Sequence, residues 1–156
     1  YLYKHPELNI TVLRPCNIAG PGVRNTFSQL LSEKRSPVLW GFSPLMQFIH
    51  IDDMRDAICT AFEKNIPGVY NVAPDDYIGF QDAIKASGSR PIQIPSVPPR
   101  LTEAIAKFLN WKSFPPYLIN YFKYPVIIDG SLFAKTFNFK PKRTLSDIFT
   151  YYKSLK

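Results

Sequence analysis

The chain has 156 residues, of which 46% are hydrophobic, and it carries a net charge of +7 at pH 7. This length predicts one domain with a proper core and excludes two large domains, and the composition excludes a disordered chain. No apolar run approaches the roughly 20 residues that span a bilayer, so we expect a soluble protein. The two cysteines, Cys16 and Cys59, lack the spacing of a zinc site or a disulfide framework, which favours free thiols in a reducing cytoplasm.

The positive charge is unevenly distributed along the chain. Residues 1–84 hold seven Lys and Arg against nine Asp and Glu, whereas residues 85–156 hold twelve against three. Only the tract KPKR at 140–143 is dense, and no nucleic-acid-binding motif accompanies it. A solvated basic face and a surface for an anionic ligand or partner both remain open, and nucleic acid is disfavoured as the partner.

The first quarter of the chain alternates strand and helix patterns. NITVLRP (9–15) is a β-branched run with almost no polar residue at its centre, which predicts a strand buried on both faces. NTFSQLLSEK (25–34) has helical spacing of its apolar residues, and PVLW (37–40) and QFIHI (47–51) read as short strands.

DDMRDAICTAFEK (52–64) is the clearest helix in the sequence. Asp52 and Asp53 are expected to cap its N-terminal end and to complement its dipole. The spacing predicts one apolar stripe, formed by Met54, Ala57, Ile58, Ala61 and Phe62.

The same alternation continues with a strand at VYNVA (69–73) and a helix at FQDAIKASG (80–88), which Gly88 is placed to end in a left-handed conformation. Strands that alternate with helices predict an α/β fold with parallel pairing.

Beyond residue 90 the pattern changes. PIQIPSVPP (91–99) is proline-punctuated and extended, RLTEAIAKFLNW (100–111) is a predicted helix, and FPPYLINYFKYP (114–125) is rich in aromatic residues. An aromatic-rich segment of this kind must cap the sheet or face a ligand or a subunit.

Two further helices are predicted near the C-terminal end. VIIDGSLFAKTFNF (126–139) reads as a strand that leads into a short helix, which Asp129 or Ser131 could cap. TLSDIFTYYKSL (144–155) has Thr144 and Asp147 at the spacing of a capping box, with Asp in place of the usual Glu.

The loop in VLRPCNIAGPG (12–22) does not have the spacing of a phosphate cradle. A dinucleotide-binding loop needs Gly-x-Gly-x-x-Gly, and after Gly20 and Gly22 the third position is Asn25. The Gly-Lys-Ser/Thr of a Walker loop is absent from the whole sequence. The spacing alone therefore favours an ordinary strand-to-helix turn.

Four stretches in order resemble the second half of the extended short-chain dehydrogenase/reductases of the epimerase/dehydratase type. They are LRPCNIAGPG (13–22), QFIHIDDMRDAI (47–58), GVYNVA (68–73) and IDGSLFAKTFNFKPKRTLSD (128–147). The resemblance implies the last strands of a Rossmann-like parallel sheet plus a smaller α/β substrate-binding domain. Residues 1–90 would interleave the two, and residues 91–156 would form the C-terminal, substrate-binding domain.

The resemblance also implies a site in the loop within residues 12–22. Pro15 and Cys16 would lie against the nicotinamide end of NAD or NADP, and Asn17 would reach the substrate. From the residues alone, Asn17 could equally be a turn residue that bonds its own backbone.

The position before the F-I-H segment bears on the substrate. The family usually has an arginine there that holds a nucleotide diphosphate, whereas Met46 and Gln47 occupy it here. We expect Gln47 to contact the substrate, and a nucleotide-sugar substrate is in doubt because a thioether makes no charge-assisted bond to phosphate. An apolar substrate such as a steroid is the alternative.

The segment His50-x-Asp-Asp could indicate a metal or acid/base cluster. We favour structural roles, because His50 lies in a predicted strand while Asp52 and Asp53 begin a helix. No metal is expected.

The catalytic groups of the family are not assigned to any residue of this chain. The family uses a Tyr-x-x-x-Lys pair, but Tyr1 and Tyr3 are followed four residues later by His5 and Glu7. We therefore expect the chain to be the C-terminal half of a longer enzyme, with an absent cofactor-binding half as its partner and a homodimer as a possibility. A non-catalytic relative that senses a dinucleotide is the alternative.

Overall fold

A computed structural model describes residues 4, 5, 7–95 and 122–156. The strands are β1 (Thr11–Pro15), β2 (Asn17–Ala19), β3 (Arg35–Leu39), β4 (Leu45–Met46), β5 (Phe48–His50), β6 (Gly68–Val72), β7 (Ile78–Gly79) and β8 (Arg90–Ile94). The helices are α1 (Thr26–Ser32), α2 (Ile51–Lys64), α3 (Phe80–Ala86), α4 (Ser131–Phe137) and α5 (Leu145–Ser154). The predicted helix at 100–111 and most of the aromatic segment at 114–125 lie outside the described residues.

Parallel pairing dominates the described strands. β1 pairs with β6, β2 with β5 and β3 with β8, all in parallel, while β4 and β7 form a short antiparallel pair. Val126 adds a single parallel bridge to Met46. The predicted α/β class with a parallel sheet is confirmed.

The strand predicted at 9–15 is shorter and less buried than its sequence pattern indicates. Thr11, Val12 and Leu13 are half-buried, and Arg14 and Pro15 are exposed. Parallel strands are buried on both faces only where helices or loops cover both. Because no residue of β1 is fully buried, the expected burial on both faces is wrong for these residues.

Most of the predicted helix ends are confirmed. Gly88 has a φ of +78° just beyond α3, the conformation that glycine adopts at no steric cost. The N-cap of α4 is Gly130 and not the predicted Asp129 or Ser131, although the Asp129 carboxylate accepts a 2.8 Å hydrogen bond from the Ser131 N–H. Thr144 and Asp147 form the predicted capping box at the start of α5.

The start of α2 differs from the prediction. The helix begins at Ile51, and the His50 side chain caps it, because its Nδ1 accepts a 3.1 Å hydrogen bond from the Asp52 N–H. The expectation that Asp52 or Asp53 provides the cap is therefore wrong. Histidine replaces them because it is the residue directly before the helix, where its ring can turn back to the second helical amide.

The predicted apolar stripe of α2 divides between core and surface. Met54, Ala57 and Ala61 are buried, whereas the side chains of Ile58 and Phe62 are 53% and 85% exposed. These two residues lie four apart and so share one face of the helix. We call this pair the outer face of α2.

Two clusters of buried side chains form the core, and each contains residues from both described ranges of the chain. The first core consists of Ala19, Phe27, Leu31, Val38, Met46, Phe48, Phe80, Ala83, Ile84, Phe122, Ile148, Phe149 and Tyr152. The second core consists of Ile49, Met54, Ala57, Ala61, Tyr70, Val72, Phe133 and Phe137. None of the helices in the described ranges combines the length and the apolar character that crossing a bilayer requires.

Candidate functional site

The carboxyl ends of β1 and β6 lie side by side, since Pro15 is the register partner of Val72. The Cys16 N–H extends this pairing by donating a 3.0 Å hydrogen bond to the Val72 carbonyl. Open parallel sheets bind their ligands at this end of their strands. We call residues 15–22, which leave the sheet here, the strand-end segment.

Asn17 and Gln47, the two predicted substrate residues, are in contact. The Asn17 side-chain amide donates to the Gln47 carbonyl at 3.0 Å, so Asn17 does not bond its own backbone through this group. Asn17 also pairs with Phe48 in the β2–β5 ladder. These bonds fix the start of the strand-end segment against the start of β5.

Gln47 is only 3% exposed, and its side chain joins two further segments. Its Nε2 donates to the Pro74 carbonyl at 2.9 Å, and its Oε1 accepts from the Ile128 N–H at 2.8 Å. Both ends of the amide are therefore bound to backbone. In this arrangement the Gln47 residue links Asn17, Pro74 and Ile128 to the start of β5.

Burial raises the pKa of two ionisable groups near the end of β1. Burial raises the pKa of the Cys16 thiol to about 12, and the negative charge of Asp76 acts in the same direction. Burial also raises the pKa of the Asp76 carboxyl, and the neighbouring charge of Asp75 adds to this. A thiol held protonated at neutral pH is a packing group and a poor nucleophile.

Asp52 and Asp53 make structural contacts other than the predicted helix cap. Asp53 is 2% exposed, and its carboxylate accepts 2.9 Å hydrogen bonds from the N–H groups of Lys142 and Arg143. Asp52 pairs with Arg55 at 3.2 Å. Over residues 4, 5, 7–95 and 122–156, no group of three His, Cys, Asp or Glu side chains could hold a metal ion.

The dense basic tract at 140–143 is partly neutralised within the molecule. The Lys142 ammonium lies 3.4 Å from the Asp56 carboxylate, and an Arg143 nitrogen lies 3.9 Å from that of Asp52. These cations are exposed, so the pairs contribute little to stability. They leave less free charge for an anionic partner than the sequence indicates.

One Tyr-x-x-x-Lys spacing does occur in the sequence, at Tyr152 and Lys156, and the sequence reasoning overlooked it. The structure directs the two side chains to different partners. The Tyr152 hydroxyl is buried against Gly20 and Ser28, while the Lys156 ammonium bonds Ser87 and Ser89. No catalytic pair is therefore assembled from these two residues.

The sequence and the fold both match known proteins. The family model described as "NAD dependent epimerase/dehydratase family" matches residues 1–73. Two uncharacterized proteins, from Mycobacterium tuberculosis and Mycobacterium bovis, are each 22% identical over 149 residues, which cover 96% of this chain and 40% of each relative. This chain thus spans less than half the length of those relatives.

Several solved structures share the fold at low sequence identity. UDP-glucuronic acid 4-epimerase from Bacillus cereus, in complex with UDP-glucuronic acid and NAD, has a TM-score of 0.66 at 23% identity, covering 99% of this chain and 48% of that one. ADP-L-glycero-D-manno-heptose-6-epimerase from Helicobacter pylori has a TM-score of 0.69 at 15% identity, with 99% and 47% covered. RMD from Pseudomonas aeruginosa, complexed with NADPH, has a TM-score of 0.66 at 13% identity, with 99% and 50% covered.

These matches confirm the predicted resemblance. Residues 1–73 match the model of the NAD dependent epimerase/dehydratase family, and the chain shares the Rossmann-like fold of the solved epimerases.

Proposed function

We propose that this chain is the C-terminal, substrate-binding part of an NAD(P)-dependent oxidoreductase of the epimerase/dehydratase type. The observation that carries the proposal is the family match over residues 1–73, which contain β1, the strand-end segment and β6. That match therefore covers the elements that build the candidate site.

Only the nicotinamide end of the cofactor would contact this chain. Pro15 is exposed and Cys16 is half-buried at the end of β1, so both fit a contact with the nicotinamide ring, which supplies hydride transfer when bound. The seven glycines of the chain include no Gly-rich phosphate cradle. The pyrophosphate would therefore be held by residues outside this chain.

Asn17 is the residue we assign to the substrate, a sugar nucleotide or another small molecule with a hydroxyl or carbonyl group. Its side chain lies at the strand ends and is oriented by the Gln47 backbone. Gln47 contributes to substrate binding by fixing Asn17 and the Ile128 backbone in place.

An apolar substrate is the second candidate, and Met46 favours it. Met46 is fully buried in the first core, and no guanidinium stands beside Gln47 in the sequence. A diphosphate would therefore lack one charge-assisted contact at this place.

Three further features support a longer parent protein. The chain covers 40% of its curated relatives, β1 is only half-buried, and the outer face of α2 leaves Ile58 and Phe62 exposed. We propose that a cofactor-binding half covers this face, with residues 1–90 interleaving the Rossmann sheet and the substrate domain and residues 91–156 completing the latter. The two free cysteines fit a cytoplasmic protein.

The test is cofactor binding and turnover by the full-length gene product that contains this chain. NADH and NADPH would be titrated by nicotinamide fluorescence, and turnover would be measured with UDP-glucuronic acid, dTDP-glucose and a hydroxysteroid. We expect micromolar cofactor binding and turnover of one substrate class. In Asn17→Ala, KM for that substrate should rise roughly fivefold, because one hydrogen bond to substrate is worth about 1 kcal/mol.

Asn9→Ala is the matched control, since the Asn9 amide makes an exposed hydrogen bond to the Asn65 carbonyl. Its KM should equal that of the unaltered protein. Cofactor binding without turnover would identify a non-catalytic dinucleotide sensor, and a protein that binds neither NADH nor NADPH would refute the proposal.

A further inference from the structure

The hydroxyl of Tyr152, on α5, reaches the strand-end segment. Tyr152 is 1% exposed. Its oxygen accepts a 3.0 Å hydrogen bond from the Gly20 N–H and donates a 2.9 Å bond to the Ser28 hydroxyl. The phenol thus satisfies one buried backbone donor in the strand-end segment and one buried side chain of α1.

Gly20 also lies close to the start of α2. Its φ is +128°, and a Cβ at this position would lie 3.1 Å from both His50 Nε2 and Ile51 Cγ2. Only glycine fits this gap without displacing a neighbour. The Gly20 peptide is therefore clamped between the start of α2 and the Tyr152 hydroxyl.

The clamp acts at the point where the segment leaves its ladder. Asn17, Ile18 and Ala19 pair with β5, while Pro21 and Gly22 directly after Gly20 are exposed. No ladder bond therefore orients the chain beyond β2, and the bond at Gly20 is the next fixed point.

The helix that carries Tyr152 is anchored near both of its ends. The capping box holds its start, and the Phe149 ring packs edge-on against Phe48 at 5.9 Å. Beyond its last turn, the Lys156 ammonium bonds the Ser89 hydroxyl at 2.6 Å. The hydroxyl of Tyr152 is consequently fixed relative to β5, the strand on which β2 is built.

We propose that Tyr152 is a positioning residue: its hydroxyl fixes the Gly20 peptide and thereby holds the part of the strand-end segment that follows β2 in the conformation that binds substrate. The part of this inference that concerns substrate rests on the proposed function. The part that concerns the strand-end segment does not rest on it, because both hydrogen bonds of the Tyr152 hydroxyl are made within the protein, without a ligand.

Tyr152→Phe, in the full-length gene product, tests whether Tyr152 holds the strand-end segment. The ring still fills the core, but the Gly20 N–H and the Ser28 hydroxyl lose their partner, and an unsatisfied buried group favours local opening. Amide hydrogen exchange of a peptide covering residues 16–24 should become roughly ten- to a hundredfold faster. Exchange in β6, the strand Gly68–Val72, should not change.

Two variants separate positioning from general stabilisation. Tyr151→Phe removes the hydroxyl of the neighbouring, half-buried tyrosine and should leave exchange at 16–24 unchanged. Ser28→Ala removes one partner of the phenol but keeps its bond to Gly20, so its effect should be much smaller than that of Tyr152→Phe. Equal acceleration in Ser28→Ala, or acceleration spread evenly over the chain, would overturn the inference.

Kinetics test the part of the inference that concerns substrate, using the substrate that the unaltered protein turns over. Tyr152→Phe should raise KM roughly tenfold and leave kcat within about twofold, because the part of the strand-end segment that follows β2 no longer keeps its binding conformation. A fall in kcat with an unchanged KM would overturn the substrate part. If the unaltered protein turns over no substrate, the proposed function fails and the exchange measurements still decide whether Tyr152 holds the segment.

Discussion

At the scale of single residues, Cys16 shows how surroundings set the chemistry of a side chain. With a pKa raised by burial to about 12, its thiol is ionised at pH 8 in only about one molecule in ten thousand, whereas an unperturbed cysteine is ionised in about a quarter. The thiolate is the form that reacts with alkylating agents. Cys16 should therefore be nearly inert although it lies at the candidate site.

We predict that iodoacetamide at pH 8 modifies Cys59, which is exposed on α2, at least a hundredfold faster than Cys16. Mass spectrometry of the two peptides over time measures both rates. In Cys59→Ser only the slow reaction should remain, and its rate should rise about tenfold per pH unit between pH 8 and 10, since the thiolate fraction does. Equal rates at the two cysteines would show that Cys16 is not protected.

At the scale of elements, α5 depends on its first turn. The Thr144 hydroxyl accepts from the Asp147 N–H, and the Asp147 carboxylate accepts in return from the Thr144 N–H and hydroxyl at 2.8 and 2.9 Å. These bonds lower the pKa of the Asp147 carboxyl. A carboxyl whose pKa is lower in the folded state stabilises the protein above its unfolded pKa, and this contribution is lost as the pH falls through the folded pKa.

We predict that Thr144→Ala lowers the free energy of unfolding by about 1 kcal/mol at pH 7, because the helix loses its N-terminal cap. The difference in unfolding free energy between Thr144→Ala and the unaltered protein should narrow as the pH falls below about 4. An aspartate in the unfolded chain begins to take up a proton there, and Asp147 in the folded protein does so at lower pH. Urea unfolding at pH 7, 5, 4 and 3 measures this difference.

Thr150→Ala is the control for this prediction, since Thr150 is exposed in the middle of α5 and touches no cap. Its effect should be small and the same at every pH. A Thr144→Ala difference that stays constant from pH 7 to pH 3 would mean that the carboxylate adds nothing to the cap.

At the scale of the whole molecule, the outer face of α2 is an apolar surface in the described part of the chain that the core does not use. Ile58 and Phe62 stand one turn apart on this face, and in the proposed parent protein a second body covers them. In isolation the chain would present them to water, where apolar surface promotes association.

We predict that a chain of residues 1–156 binds a hydrophobic dye and that the double variant Ile58→Ser, Phe62→Ser binds it several-fold less. The free energy of unfolding should change little, because neither side chain is in a core cluster. Glu63→Ser, at an exposed polar residue next to Phe62, is the control and should leave dye binding unchanged. An unaltered chain that binds no dye would contradict a covered outer face.

The sequence pattern predicted local structure well and tertiary contacts poorly. Alternating strands and helices, the Gly88 helix end and the Thr144 capping box follow from the spacing of neighbouring residues. The exposure of Ile58 and Phe62 does not, because helical spacing identifies an apolar face without identifying what covers it. The bond from Gly20 to Tyr152 joins residues 132 apart, and no short motif encodes it.

The composition of the two cores has a consequence for synthesis on the ribosome. The first core needs Ile148, Phe149 and Tyr152 to meet Phe27, Phe48 and Phe80, and the second needs Phe133 and Phe137 to meet Tyr70. Neither core can form until these late residues have left the exit tunnel. Early strands such as β1 and β6 therefore remain unpacked, with apolar surface exposed. The nascent chain is consequently most vulnerable to aggregation, and most dependent on chaperones, from the synthesis of residue 73 until residues 133–152 have left the tunnel.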